Sequence, residues 1–223
     1  MSGRPLNEIK KSEESKAEDK RMKIGIVDYN MGNLASVSNA FKKIGADAEI
    51  VSDADKLNSF DKLVFPGVGA FGDAMKHLKK TGLDEAMMEF VKTGKYVIGV
   101  CLGMQLLFEN SEEFGKHQGL GIIPGGVVKF DKNKAKGHKI PHMGWNKMFF
   151  QKETPLFEGL DNPYLYFVHS YHVVCDKEYV IGKTVYGYEF VSAVNKDNVF
   201  GFQPHPEKSH NAGLKILENF VKL

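Results

Sequence analysis

Three side chains in this sequence have the types and settings that nucleophilic catalysis needs. The first is Cys101, in Gly99-Val100-Cys101-Leu102-Gly103, between an apolar run at residues 96–100 and an amphipathic stretch at 102–110. A residue at such a strand-to-helix switch sits in a tight, strained turn with its side chain above the sheet edge. Glycines two positions before and after it remove Cβ atoms that would collide there. A helix N-terminus favours the thiolate over the thiol. The backbone N–H of Leu102, left unbonded by the first helical turn, is aimed where a tetrahedral oxyanion would form. A cysteine in an apolar run is more often a buried structural residue. The paired glycines and the switch of element point instead to a nucleophile.

A nucleophile of this kind needs a base and a group to orient it. Both stand near the C-terminal end in Gln203-Pro204-His205-Pro206-Glu207-Lys208, after a strand-like run at 198–203. His205 and Glu207 are two apart, so in extended chain their side chains leave from the same side. The carboxylate can then accept from one imidazole nitrogen and leave the other to serve a thiolate. The flanking prolines fix their own φ and bias their predecessors toward extended geometry. Alone, a histidine between prolines is more often a rigid surface loop; with a cysteine elbow in the same chain it reads as the base.

The elements that must position these groups alternate after Met22. Strands are expected at residues 23–29, 48–51, 62–65 and 96–100, and helices from Asn33 to Gly45, through Leu78, and over 83–92. Repeated βα units of this length predict a parallel sheet covered on both faces. From Gly125 the texture turns to strands at 126–130, 164–168, 172–175, 180–188 and 190–194, before the strand to His205 and a last helix carrying Leu214, Leu217, Phe220 and Val221. The fold class is therefore α/β, a mixed, mostly parallel open sheet with helices on both faces and a β-rich C-terminal half. The nucleophile comes from one half and the base from the other, so the site is expected where they meet, at the carboxyl ends of the strands.

Pro66-Gly67-Val68-Gly69 follows the third strand and reaches the same edge, with glycines at 67 and 69 that let the backbone approach a ligand. Gln105 lies one helical turn beyond Cys101 and faces the same region. Metal binding is not expected: His169 and His172 are three apart in a strand, which sends them to opposite faces, and His138 and His142 fall in a loop without cysteine. No Gly-Lys-Ser/Thr follows the glycines, which excludes a phosphate-cradling loop.

Composition narrows the class further. The chain has 223 residues, enough for one substantial core, and a net charge of +2, which gives no electrostatic case for nucleic acid or an anionic membrane. No apolar run approaches the roughly 20 residues that span a bilayer. The two cysteines, Cys101 and Cys175, lack pair spacing, which fits a reducing, cytoplasmic setting. Residues 1–22 mix both charges with almost no core-forming side chains and read as a mobile leader or tag, leaving 23–223 as the domain.

Taken together, Gly-Val-Cys101-Leu-Gly-Met-Gln and Gln-Pro-His205-Pro-Glu207-Lys resemble the class I, triad-type glutamine amidotransferases over nearly all of residues 23–223. More narrowly, Asp28-Tyr-Asn-Met-Gly-Asn-Leu34, Pro66-Gly-Val-Gly-Ala-Phe71, Pro141-His-Met-Gly-Trp-Asn146 and Phe167-Val-His-Ser-Tyr171 resemble the glutaminase subunits of imidazole glycerol phosphate synthase. The resemblance implies a flavodoxin-like fold, no cofactor, and hydrolysis of glutamine through a Cys101 thioester with His205 and Glu207. It makes Val68 the second oxyanion donor beside Leu102, and places Gly67, Gly69, Gln105, Glu113, His169, Ser170 and Tyr171 around glutamine. It also implies a (β/α)8 cyclase subunit as partner in a heterodimer, docked on His142, Trp145, Asn146, Tyr166 and Lys208, which takes the ammonia to make imidazole glycerol phosphate and an aminoimidazole carboxamide ribotide in histidine biosynthesis. A glutaminase feeding a sugar amidotransferase, a stand-alone γ-glutamyl hydrolase and a regulatory module without turnover remain alternatives. Pro204 stands where that family carries an aromatic residue, so pairing beside the base is expected to differ.

Overall fold

The structure is a computed structural model that describes residues 22–223; the leader expected at residues 1–22 lies outside the described residues but for Met22. The first half runs β1 (Ile24–Val27), α1 (Leu34–Lys43), β2 (Ala48–Val51), β3 (Lys62–Phe65), α2 (Phe71–Thr81), α3 (Leu83–Lys92), β4 (Val97–Val100) and α4 (Leu102–Leu106). The second continues as β5 (Phe108–Ser111), β6 (His117–Gln118), β7 (Ile123–Lys129), β8 (His142–Phe150), β9 (Tyr164–His169), β10 (Tyr171–Val174), β11 (Val180–Tyr186), β12 (Tyr188–Lys196), β13 (Val199–Phe202) and α5 (His210–Lys222). Local chemistry sets several of these limits. Asn33 Oδ1 accepts the Ser36 N–H at 3.3 Å and caps α1. Gly82, at φ 71°, closes α2 and opens α3 in a conformation that favours glycine.

Strands β2, β1, β3, β4 and β13 lie side by side in that order and all run parallel. Period-two alternation distributes their side chains between two cores. Leu63 and Phe65 pack with Leu78, Leu83, Met87 and Phe90 of α2 and α3. Val64 and Ile98 pack on the other face with Phe41 of α1 and Ile216, Leu217 and Phe220 of α5. Beyond β13 the sheet continues antiparallel through β12, β10 and β7, while β11 leads from β12 to β8 and β9. The architecture is an α/β mixed sheet with helices on both faces.

Two expectations are corrected. The helix expected over 102–110 stops at Leu106, because its carbonyls find donors in a neighbouring segment: Leu120 N–H bonds Leu106 O at 2.9 Å and Ile122 N–H bonds Leu107 O at 2.9 Å. Phe108 onward then joins the sheet beside β7. The strand expected over 180–188 breaks at Gly187, whose φ of 72° makes the turn between β11 and β12.

Candidate active site

Cys101 follows β4 directly and has φ 54° and ψ −111°, a strained backbone for a residue with a side chain. The chain is held there from both sides: Cys101 N–H donates to Phe202 O at 2.7 Å, and its carbonyl accepts from Gln105 N–H at 3.1 Å. A Cβ on Gly103 would fall on the Phe65 carbonyl oxygen, and one on Gly99 would come 2.9 Å from the Gly103 carbonyl. These two glycines therefore let α4 press against β3 and β4. With five residues, α4 carries only a small dipole. A nearer source of polarity for the sulfur is Gln203, whose Nε2 donates to Sγ at 3.7 Å.

His205 leaves the end of β13, the parallel neighbour of β4, with Phe202 opposite Val100. Its backbone is extended, φ −101° and ψ 96°, between Pro204 and Pro206. Nδ1 bonds Glu207 Oε1 at 2.7 Å, and both side chains are buried. The other ring nitrogen, Nε2, is buried without a regular hydrogen-bond partner among the described residues. Burial works against charging this ring. The nearby Cys101 sulfur and the Glu207 carboxylate outweigh that penalty and raise the histidine from 6.5 to about 10. The folded value lies above the unfolded one, so the charged ring stabilises the fold fully below about 6.5, and that contribution is lost as pH rises through about 10.

Pro204 does not disturb this geometry. One step further along the parallel ladder, its missing N–H would face the Cys101 carbonyl, which Gln105 N–H already occupies. Pairing carries on around it, with Gln203 N–H on Ser192 O at 2.9 Å and His205 N–H on Tyr166 O at 2.9 Å.

A cavity of about 340 Å³ opens beside the sulfur, a size suited to a small molecule. Val68, Gly69, Cys101, Leu102, Gln105, Glu113, Pro141, Val168, His169, Ser170 and Tyr171 line it. Gln105 Nε2 bonds the Tyr171 carbonyl at 3.2 Å and Gln203 Oε1 at 3.0 Å. Both amide hydrogens are thus committed, and what Gln105 offers a ligand is its carbonyl oxygen. Glu113 Oε2 accepts Phe71 N–H at 2.7 Å, capping α2, whose own N-cap Ala70 has no side chain to do so.

The oxyanion expectation needs correction for this conformation. Leu102 N–H is not free: it donates to Gly67 O at 3.3 Å, while Val68 N–H donates to Met31 O at 3.3 Å. The cause is the close fit of the segment after β3 against the start of α4, which Gly67 permits. Both engaged groups on that segment belong to the single Gly67–Val68 peptide unit.

His142 is also corrected as a docking residue. It begins β8 with 2% of its surface exposed, so a partner cannot touch it. Asn146, on the same side of β8, points its amide to His142 Nε2 at 3.3 Å and Val185 O at 2.8 Å. The opposite side of β8 is different: Met143 and Trp145 are exposed, and Trp145 meets Tyr166 edge-on and stacks on His210 at 4.9 Å. Lys208 is half-buried at the end of the single helical turn, Pro206–Lys208, that precedes α5. His169 and His172 do not part to opposite faces, because Ser170 interrupts the strand; both rings pack on Phe130, at 5.1 and 4.9 Å. No group of three His, Cys, Asp or Glu among the described residues is placed to hold a metal.

Two residues at the site escaped the sequence reading. Gln203 stands two before His205, and the same period-two argument that paired 205 with 207 would have found it. Ser209 ties the base in place: its Oγ donates to His205 O at 2.6 Å and accepts Tyr166 N–H at 2.9 Å. As a serine before a helix it reads as an ordinary cap, yet its side chain makes no capping bond to α5.

An elbow cysteine, a carboxylate-bound histidine on the next parallel strand, and a small cavity beside the sulfur define a thiol-dependent acyl-transfer site on an α/β sheet. The chain belongs to the class I glutamine amidotransferase family, whose model matches residues 25–223. It is 64% identical to the imidazole glycerol phosphate synthase subunit HisH of Sulfurimonas denitrificans, over 89% of this chain and 97% of that one. The subunit of the same name from Wolinella succinogenes is 56% identical over 90% and 99%, and that from Methanocaldococcus jannaschii 50% over 90% and 99%. Among solved structures, PurLQS from Thermotoga maritima shares the fold with a TM-score of 0.72 at 20% identity, covering 91% of this chain and 98% of that one. No helix of the described residues is long and apolar enough to cross a membrane.

Proposed function

We propose that this chain is the glutaminase subunit of an imidazole glycerol phosphate synthase, that it acts in the cytoplasm, and that residues 23–223 form its catalytic domain. The observation that carries the reading is the His205–Glu207 pair at 2.7 Å with the opposite ring nitrogen left to the Cys101 sulfur. Glutamine enters the cavity and the Cys101 thiolate attacks its side-chain amide carbon. The charged His205 gives its Nε2 proton to the departing nitrogen, ammonia leaves, and a γ-glutamyl thioester remains. Neutral His205 then takes a proton from water, the resulting hydroxide displaces the sulfur, and glutamate is released.

The tetrahedral oxyanion needs donors that the present conformation holds elsewhere. Turning over the single Gly67–Val68 peptide unit would free Leu102 N–H from the Gly67 carbonyl and release Val68 N–H from Met31 toward the sulfur. Glycine at 67 leaves one of the two residues flanking that unit without a Cβ, which widens the backbone angles it can adopt. A resting chain with both donors engaged is expected to hydrolyse glutamine slowly.

The relatives are subunits of a synthase, which supports a second chain, and we assign to it the consumption of the ammonia. We place that chain, a (β/α)8 cyclase, on the exposed face of β8 and β9 at Met143, Trp145 and Tyr166, with Lys208 beside it. The deciding experiment is glutamate release with and without such a cyclase and its nucleotide ligand. Stimulation supports the reading; vigorous hydrolysis of γ-glutamyl peptides without a partner sinks it. Lys208→Glu is expected to weaken association about tenfold by calorimetry, the order of one well-placed charge pair.

The raised histidine gives a pH prediction. Acylation needs the His205 proton, so kcat/KM for glutamine is expected to decline as pH rises toward about 10. Glu207 is one of the groups that raise that value, so Glu207→Gln moves the alkaline limb to lower pH and slows turnover moderately. A profile whose limb stays in place in Glu207→Gln contradicts the assigned orientation.

A further inference from the structure

A chain of polar groups, with His142 and His169 buried and Asn146 half-buried, crosses the β-rich half and ends at the glutamine cavity, and the fixed donors and acceptors at its ends set its direction. At one end, His169 Nδ1 lies 2.7 Å from the Tyr171 carbonyl oxygen. A carbonyl only accepts, so that nitrogen carries the hydrogen. Burial keeps the ring neutral, holding it well below the usual histidine range, so Nε2 is bare. His142 Nδ1, 3.0 Å from that bare nitrogen, must therefore donate. His142 is held neutral too, lowered to about 4 chiefly by burial, which leaves its Nε2 as an acceptor for Asn146 Nδ2 at 3.3 Å.

The other end fixes the same direction independently. Asn146 Oδ1 accepts Lys147 N–H at 2.8 Å and Nδ2 donates to Val185 O at 2.8 Å, so the amide cannot be turned around. Backbone groups of fixed polarity thus bound the chain on both sides, and a single pair of neutral tautomers satisfies it. Past the Tyr171 carbonyl the connection continues through the Gln105 amide to Gln203, whose Nε2 reaches the Cys101 sulfur.

We propose that Asn146, His142 and His169 form a one-way hydrogen-bond relay that ties strand β8, directly behind exposed Trp145, to the Tyr171 carbonyl and the Gln105 amide in the glutamine cavity. They act as positioning residues for glutamine, and a shift of β8 on docking is passed to the cavity through them. The rings lack room to re-form the chain otherwise: His142 is stacked between Tyr186 at 4.0 Å and Phe167 at 4.8 Å, and His169 rests on Phe130. The role in glutamine binding rests on the function proposed above; the tautomers do not.

The test joins imidazole nitrogen-15 spectra of the full chain at neutral pH with glutaminase kinetics of the complex. Expected are His142 and His169 each protonated on Nδ1 and bare on Nε2; either ring protonated on Nε2 overturns the relay. Asn146→Asp, nearly the same shape, puts an acceptor where the donor was and forces His142 to move its proton or take up charge. KM for glutamine is expected to rise about tenfold with kcat changed less than about twofold. His142→Phe keeps the stacking and shows the same rise, whereas His142→Asn, whose amide can donate from the Nδ1 position, returns KM to within about threefold. Unchanged KM in both Asn146→Asp and His142→Phe overturns the proposal, as does equal damage in His142→Asn and His142→Phe. If His142→Phe does not fold, Asn146→Asp and the spectra decide. Failure of the glutamine reading itself shows separately, as no labelling of Cys101 by a glutamine-like diazo ketone, and the spectra then judge the relay.

Discussion

Cys101→Ala is expected to reduce glutamine-dependent turnover by on the order of 10⁴ or more, to the level left by binding and water alone. No other group can replace the sulfur: Gln203 and His205 beside it are a donor and a base, neither able to form the thioester. The variant should fold normally, since alanine tolerates the same turn and the backbone bonds to Phe202 and Gln105 do not involve the side chain. With added ammonium salts the cyclase proposed as partner should run at its usual rate, measured by product formation at saturating nucleotide. Loss of that ammonia-dependent rate in an intact complex would contradict the division of labour between the subunits.

The second large effect is on stability. Gly103→Ala places a Cβ on the Phe65 carbonyl oxygen, an atom of central strand β3 that cannot swing aside. Relief requires α4 to lift from β3, which moves Cys101 with it. Overpacking of this kind costs on the order of 3 kcal/mol, or a Tm lower by roughly 6–12 °C for a protein of this size. Gly45→Ala is the control: nothing lies within 4 Å of its Cβ, and only the positive φ of 76° is strained, for about 1 kcal/mol. Thermal unfolding of the two variants side by side checks the difference; equal small losses would show that α4 yields at little cost.

Much of this molecule was legible from its residues because the signals were local. The glycines at 99 and 103 mark the elbow in the sequence itself, and β2 and β3 have the expected bounds, with β3 stopping at Pro66. The end of α4 was not legible, because the donors that stop it come from residues 120 and 122, and helical periodicity runs on past Leu106. The depth of His142 was hidden for a similar reason. Its neighbours Met143 and Trp145 are exposed, and only the packing of Phe130, Phe167 and Tyr186 against the other side of β8 decides which face is covered. The engagement of Leu102 N–H is likewise a fact of tertiary packing: a helix start leaves that donor free, and a loop from another strand takes it.

The position of β13 has one more consequence. It is the last strand of the described chain, yet it is inserted between β4 and β12 in the middle of the sheet. A chain folded without that segment would leave two strand edges facing each other, an open template for self-association. The same segment delivers the base, so without it the sulfur stands without its histidine. Closure of the sheet and assembly of the catalytic pair are thereby one event.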